Sequence, residues 1–542
     1  MPKHTLVFSN ERPLRLGIVG GGAGTREFLI RFLEAGACDL PIVVDVFEPR
    51  GVLGRGIAWS AEKTPVLANM RVETLGPSYH EYDLIQSLLT QLGHSEASSQ
   101  YPTRNAVGLA LDERWRRQGT LPSQWQLNHI CAEVVDIDWD GHTSTVYTAD
   151  GAEHAGYDLI LLSLGNIPER PPATFENNSR FVNGWNVSAV ESIEAGSDVL
   201  IKGAGLTAID ATMRLLASGH KPGARSIVWH SRSGSLPFVR PRQLKLDPDH
   251  LTYPSLEALV RQIHSDNSRL TLATLMRLFR FEIASQSKKQ AGRYAPGTDF
   301  AGFLAMYETF HDPAKGREFV EFGLKGADGY CLWFSVAKLF DEYVIPFVWN
   351  AMPDQEKAVF LEDWRRDFDR FWAPIPVENG RRLKQWLTDG TVQLVRTGIN
   401  YQSDPGTGKV RFDSRLDDPF GELSKADLKE RYKAGFDYLI DGGGIAADLE
   451  KLDSKLVNNL LRRGTMIPYK LRQTNGVKFS SLGARVDWYT GVLLAADGLP
   501  HSWIYTLTGS LTAGAHRFTN SYLAVSVSAQ RVVVDLMKRL VA

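Results

Sequence analysis

The same hydrophobic pattern occurs twice in the chain. Leu14–Val19 is a short apolar run ending in Gly20-Gly21-Gly22-Ala23-Gly24-Thr25, after which Phe28, Leu29, Phe32 and Leu33 recur at helical spacing. That order predicts a strand, a tight turn and a helix. A second apolar run, Ile42–Phe47, ends in Glu48. The other copy opens at Val199-Leu200-Ile201-Lys202, continues through Gly203-Ala204-Gly205-Leu206-Thr207-Ala208, and has its next strand at Ser226–His230, ending in Ser231-Arg232-Ser233-Gly234. Two more runs, Asp158–Leu162 leading to Gly165 and Pro168, and Asp437–Ile440 leading to Gly442-Gly443-Gly444, read as strands leaving these units.

Residues 246–380 change period. Ser255–His264 carries Leu256, Leu259, Val260 and Ile263 on one face, Thr271–Phe281 is similar, and Phe360, Leu361, Trp364, Phe368 and Phe371 form a broad aromatic stripe. A mainly helical insertion is expected, its aromatics serving as core. Arg382–Leu387 continues as helix to Gly390, and Thr391–Val395 returns as a strand. The length of 542 residues fits roughly two to four domains. The divisions expected are 1–192 and 431–542 for the first unit, 193–245 and 381–430 for the second, and 246–380 for the insertion.

Charge and cysteine content narrow the partners. Lys plus Arg (61) against Asp plus Glu (62) leaves a net charge of −1, so no positive field favours nucleic acid or an acidic membrane. Cys38, Cys131 and Cys331 lie far apart, which excludes a CxxC redox pair and a zinc knuckle. The 13 histidines show no metal-ligand spacing, and no metal is expected. The opening residues hold no apolar signal segment and no run of about 18 apolar residues appears, so a cytoplasmic protein is expected.

The two glycine loops carry the chemistry. Gly20 allows the tight turn, Gly22 lets backbone N–H groups approach a pyrophosphate at the helix N-terminus, and Thr25 replaces the glycine that usually permits close helix–strand packing. Glu48, 26 residues after Gly22, is placed to accept the hydroxyls of an adenosine ribose. Beyond it, Arg50, Gly54, Arg55, Gly56 and Trp59 suit a second stretch of backbone and charge wrapped around the same pyrophosphate, with Asn69 and Met70 soon after. In the second loop Gly203, Gly205 and Thr207 repeat the cradle. Its strand ends in Ser231 and Arg232 in place of a carboxylate, which suits a 2′-phosphate. The natural assignment is FAD in the first loop and NADPH in the second.

With these landmarks the chain resembles the two-dinucleotide-binding flavoproteins, in the FAD–NAD(P)-binding group related to flavin-dependent N-hydroxylating monooxygenases. The matching segments are GGGAGT, FEPRGVLGRGIAW, LANM, YPTR at Tyr101–Arg104, DLILLSLGNIP, GAGLTAID, SRSGSLP, FDYLIDGGG and LTGSLTAG at Leu507–Gly514. The resemblance implies an α/β fold with two Rossmann-like dinucleotide-binding domains, for FAD and NADP, and a helical insertion that shapes the substrate cavity. It implies that Gly24, Arg104 and Gly165 belong to the cofactor sites, that Gly509, Leu511 and Thr512 lie along the flavin, and that Val134 lies near the adenine. It puts Asn69 beside the reactive flavin face.

A disulfide reductase would need a dithiol, and none is present. A Baeyer–Villiger oxygenase would be expected to carry a histidine in the linker Phe181–Val187, which has none. Flavin hydroxylation needs few acid–base side chains, because a C4a-hydroperoxyflavin supplies the reactivity. The resulting expectation is an NADPH-consuming monooxygenase acting with O2 on the amine nitrogen of a small molecule or amino acid. S- or C-oxygenation, a plain reductase and a non-catalytic nucleotide-binding sensor are the alternatives. Asn69 is the catalytic candidate, with turn capping as its other reading. His516 and Arg517 are candidates for a substrate carboxylate or simple capping residues.

Overall fold

The computed structural model describes residues 11–60, 62–78, 80–176, 178–221, 227–247, 270–398, 401–412, 416–444, 446–471, 482–515 and 522–541. His516, Arg517 and the helix expected at Ser255–His264 lie outside them. In chain order the strands are β1 (Leu14–Val19), β2 (Ile42–Phe47), β3 (Trp125–Ile130), β4 (Val134–Trp139), β5 (Ser144–Thr148), β6 (Glu153–Tyr157), β7 (Leu159–Leu162) and β8 (Phe181–Asn183). They continue with β9 (Val199–Lys202), β10 (Ile227–Ser231), β11 (Gln393–Arg396), β12 (Tyr401–Ser403), β13 (Val410–Phe412), β14 (Tyr438–Asp441), β15 (Val492–Leu494) and β16 (Pro500–Thr506).

The unbroken apolar runs become parallel strands because both of their faces are buried. One sheet has the order β15-β16-β7-β1-β2-β3 and is parallel except for the edge pair β15–β16. The other, β11-β10-β9-β14-β8, is parallel throughout. Strand order reverses between β1 and β7 in the first sheet and between β9 and β14 in the second, and crevices for ligands form at such points. Strands β4–β6 make a separate antiparallel meander packed beside Val19 and Phe47, and β12–β13 form a small hairpin.

Two expected divisions move. β8 falls before residue 192 and β14 after residue 431, yet both pair in the second sheet. Partner choice between short strands is a long-range property, so local periodicity marked these strands without saying which sheet they join.

Helices Leu272–Lys289, Phe300–Phe310, Gly316–Gly326, Leu332–Tyr343 and Ile345–Ala351 build the helical layer around Phe279, Phe303, Phe319, Trp333, Phe340 and Phe371. Phe360 and Phe371 are buried as expected, but Trp364 is 44% exposed. A π-helical turn at Phe360–Trp364 adds residues to the turn and rotates Trp364 off the apolar face. Helix Val377–Asp389 ends at left-handed Gly390, and β11 then returns parallel to β10. No described helix is long and apolar enough to cross a membrane.

A buried carboxylate fastens the first unit together. Glu27, on helix Ala23–Glu34, is 1% exposed. It accepts hydrogen bonds from Tyr522 OH (2.7 Å) and Ser526 Oγ (2.8 Å) of the C-terminal helix Tyr522–Val541, from Arg31 Nε (3.0 Å), and from Arg114 (3.3 Å). Glu27→Ala would strip Tyr522, Ser526, Arg31 and Arg114 of their shared acceptor, leaving Glu81 to face both guanidinium groups. It is expected to destabilise the chain by about 1–3 kcal/mol. The C-terminal helix should then become cleavable in limited proteolysis before the second unit does.

Candidate functional site

The first crevice is built by close backbone approach. Gly20 turns the chain with φ +99°, its N–H donates to Phe47 O (2.9 Å), and a Cβ here would lie 2.4 Å from Ser163 O at the end of β7. Gly22 starts helix Ala23–Glu34, and no side chain caps that helix. Its first N–H groups therefore face the crevice as an anion site. Thr25 is fully buried, and its hydroxyl donates to Gly20 O, clasping the loop. The close packing expected of the third glycine is supplied by Gly24, where a Cβ would meet Ser163 Oγ at 3.1 Å and Leu507 at 3.3 Å.

A second glycine segment lies across this loop. Gly54 N–H donates to Gly21 O (2.5 Å), and a Cβ on Gly56 would come within 3.3 Å of the Gly22 Cα. The arginines beside it do other work than wrapping a pyrophosphate. Arg50 folds back on Glu48 through Nε (2.8 Å) and a terminal nitrogen (2.9 Å). Arg55 pairs with Asp112 (Nε, 2.7 Å), which also pairs with Arg26. Both guanidinium groups are thus neutralised by carboxylates, one of them 57 positions away and outside the reach of local reading. Burial pushes the Glu48 carboxyl up, but hydrogen bonds from Arg50 and Gly21 N–H (3.0 Å) outweigh it and hold the pKa below the ordinary range. Glu48 is a fixed anion at the end of β2.

Trp59 and Met70 are half-buried against the apolar cluster of Ala68, Val72 and Val107. Val134 is buried beside Phe47 at the start of the meander. At the far side of the crevice Gly165 and Gly509 bridge in parallel, Ser510 N–H donates to Gly165 O (3.1 Å), and Ser510 Oγ accepts from Ile167 N–H (2.9 Å). Leu511 and Thr512 follow in a buried turn. The helical layer closes on this edge: Trp349 Nε1 donates to Gly514 O (2.7 Å) and Asn350 Nδ2 to Ala515 O (2.8 Å).

The second crevice repeats the first. Gly203 has φ +113°, its N–H donates to His230 O (2.7 Å), and a Cβ would lie 2.5 Å from Gly442 O at the end of β14. Gly205 starts helix Leu206–Ala217, again without a side-chain cap. Unlike Gly22, a Cβ on Gly205 would meet no protein atom within 4 Å, so this loop faces outward. Thr207 turns its methyl toward Gly184. Ser231 Oγ accepts from Gly234 N–H (3.2 Å) and shapes the turn. Arg232 is exposed and has no partner among the described residues.

His230, missed in the sequence, sits beneath this turn. It is 2% exposed, between Tyr401 OH on Nδ1 and Thr397 O on Nε2 (3.1 Å). A carbonyl only accepts, so Nε2 carries the proton and Nδ1 accepts from the tyrosine. Burial, with Lys202 and Arg232 nearby, pushes its pKa down to about 4. Glu342 was also not singled out. It lines a small cavity with Tyr82, Gln243, Ser335 and Tyr343 where the helical layer meets the first unit, and burial pushes its carboxyl up to about 8.

Asn69 lies on a short bridge between the units. Leu67 pairs with Thr103, Ala68 N–H donates to Pro102 O (2.8 Å), and Arg104 N–H donates to Val66 O (2.9 Å). Asn69 Oδ1 is buried without a hydrogen-bond partner, so it caps no turn with that atom and stands available to a bound group. Arg104, expected in the cofactor sites, pairs through its guanidinium with Asp210 on the helix that follows the second loop.

Residues 17–167 match the family model described as FAD-NAD(P)-binding. That span holds the first loop, Glu48, the covering glycine segment, Asn69 and Gly165. Among solved structures, the chain is similar to the ornithine N-hydroxylase of Kutzneria sp. 744, at 13% identity over 97% of this chain and 99% of that one, with a TM-score of 0.49. It is also similar to the ornithine hydroxylase of Pseudomonas aeruginosa (12%, 97% and 99%, TM-score 0.47) and the lysine monooxygenase of Nocardia farcinica (15%, 96% and 98%, TM-score 0.47). No curated protein matches the chain.

Two outcomes follow from the second cradle. Arg232→Ala should lower the preference for NADPH over NADH by about 10- to 150-fold, the loss of one charge-assisted hydrogen bond of roughly 1.5–3 kcal/mol. Because Arg232 is exposed, the unfolding temperature should stay unchanged. Steady-state kinetics with both nucleotides and thermal unfolding check this. Acidification acts through His230: its folded pKa is below the unfolded value, so the unfolded chain takes up the proton first. Its contribution of about 3 kcal/mol is fully present above pH 6.5 and is lost as pH falls toward 4. His230→Gln should flatten the pH dependence of unfolding across that window.

Proposed function

We propose that the chain is an FAD-dependent, NADPH-consuming monooxygenase that hydroxylates the amine nitrogen of a small molecule. The overall reaction is R-NH2 + O2 + NADPH + H+ → R-NHOH + NADP+ + H2O. The observation that carries the reading is the unequal pair of cradles: one covered by its own glycine segment and ending in a fixed carboxylate, the other open and ending in an exposed guanidinium. A resident cofactor suits the first and an exchanging co-substrate the second. Neither Cys131, which is exposed, nor Cys331, which is buried in the helical layer, supports a thiol route.

The residues fit the two nucleotides. Uncapped helix N-termini at Gly22 and Gly205 would hold the pyrophosphates, Glu48 the FAD ribose hydroxyls, and Ser231 with Arg232 the 2′-phosphate. Bound FAD supplies the two-electron chemistry that accepts a hydride and activates O2. The protein's part is to exclude water and to place hydrogen bonds. Asn69 Oδ1, already desolvated, accepts a hydrogen bond from a group held between the cradles without first giving up water. The substrate nitrogen must be uncharged to attack oxygen, so turnover should rise with pH until the amine is deprotonated. The helical layer, closing over Gly514 and Ala515, supplies the walls of the substrate cavity.

The test combines products and coupling. Incubation with an amine and amino-acid panel under 18O2 should give one product heavier by one labelled oxygen on nitrogen; label on sulfur or carbon would reassign the reaction. Asn69→Ala should keep FAD and consume NADPH, while releasing more H2O2 and less product, since one lost hydrogen bond costs roughly 1–3 kcal/mol. Unchanged coupling in that variant would remove Asn69 from the mechanism.

A further inference from the structure

Helix Leu206–Ala217 begins at the second glycine loop and carries two charged residues one turn apart, Asp210 and Arg214, each 2% exposed. Both reach across to the first unit. Asp210 pairs with Arg104, and Arg214 pairs with Glu62 through Nε (3.1 Å) and a terminal nitrogen (2.7 Å), with Glu62 as buried as its partner. Glu62 and Arg104 bracket the short bridge on which Asn69 lies: Val66 O accepts from Arg104 N–H, and Thr103 pairs with Leu67. The opposite polarity of the pairs gives the docking one register. A slip of one turn would set Asp210 against Glu62 in one direction, or Arg214 against Arg104 in the other, in a water-poor contact where like charges are strongly unfavourable.

The same atoms argue against packing alone. Asp210 Oδ1 has no hydrogen-bond partner, and burial pushes its carboxyl up despite the pull of Arg104 and Arg214. Apolar residues of similar volume at these four positions would hold a fixed contact at least as well as the two ion pairs. What ion pairs add is orientation.

We propose that Asp210 and Arg214 are positioning residues that tie the second dinucleotide loop to Asn69, so that occupation of Gly203–Thr207 by a dinucleotide fixes the bridge Val66–Asn69. This rests on the reading that the second loop takes NADP(H). The dinucleotide pyrophosphate settles on the N-terminus of the helix, the helix docks through its two ion pairs, and Asn69 is held against the crevice.

Amide hydrogen exchange on the FAD-loaded chain, with and without NADP+, tests it. In the wild type, NADP+ should slow exchange in the peptide covering residues 62–70 at least threefold. In Asp210→Asn and Arg214→Lys the slowing there should vanish, while exchange at Gly203–Thr207 is still slowed and FAD content is full. NADPH should still be consumed by both variants, with more H2O2 and at least threefold less product per NADPH than in the wild type, and with the Kd for NADP+ within threefold of wild type. Should Asp210→Asn fold poorly, Arg214→Lys, which keeps the charge and loses the fork, gives the same reading alone. Slowing at 62–70 that persists in a variant, or is missing in a wild type whose second loop is protected, overturns the inference. A wild type that binds no NADP+ and shows protection nowhere overturns the functional reading instead.

Discussion

At each switch point a turning glycine lies against a backbone carbonyl of the strand across the crevice. Gly20 faces Ser163 O and Gly203 faces Gly442 O, and any side chain at either glycine would occupy the space of that oxygen. This contact decides three things together. It sets how close β1 comes to the end of β7, and β9 to the end of β14. It aims the following helix so that its N-terminal amides face the crevice. It leaves a groove with backbone walls, and backbone N–H groups bind phosphate oxygens without requiring a positive side chain. The rest of the chain is arranged around these two grooves: the covering segment Gly54–Gly56, the buried turn Ser510–Thr512 and the helical layer on Gly514 and Ala515.

The parts legible in the sequence are those with a local cause. An apolar run, glycines at fixed spacing and helical periodicity specify β1, β9 and their helices, because strand, turn and helix are neighbours in the chain. The end of the insertion was legible for the same reason: Gly390 stops one helix and β11 (Gln393–Arg396) continues as an edge strand. What escaped depends on partners far away. Asp112 takes Arg55 and Arg26, Asp210 takes Arg104, and β8 and β14 choose the second sheet. An arginine beside a glycine-rich loop looks like a phosphate ligand until its carboxylate is found. The same limit hid His230, whose environment is made by Thr397 and Tyr401 more than 160 positions later.

Charge placement separates the two grooves more sharply than their shared geometry would suggest. Around the first, the cations are already matched: Arg50 by Glu48, Arg26 and Arg55 by Asp112. A pyrophosphate entering there gains its stabilisation from backbone dipoles under a covering segment, and it meets no mobile guanidinium that could swing it back toward solvent. On the proposed function, dissociation would require the glycine segment to lift from Gly21 and Gly22. Around the second groove the order is reversed. Gly205 is open, and an exposed cation, Arg232, stands at the rim, where on the proposed function it would meet a phosphate before the pyrophosphate docks. Exposed charges act over about a Debye length and favour encounter more than residence. Two cradles cut from one pattern thus differ in cover and charge, and the proposed reaction, which consumes one nucleotide per turnover while retaining the other, needs such a difference.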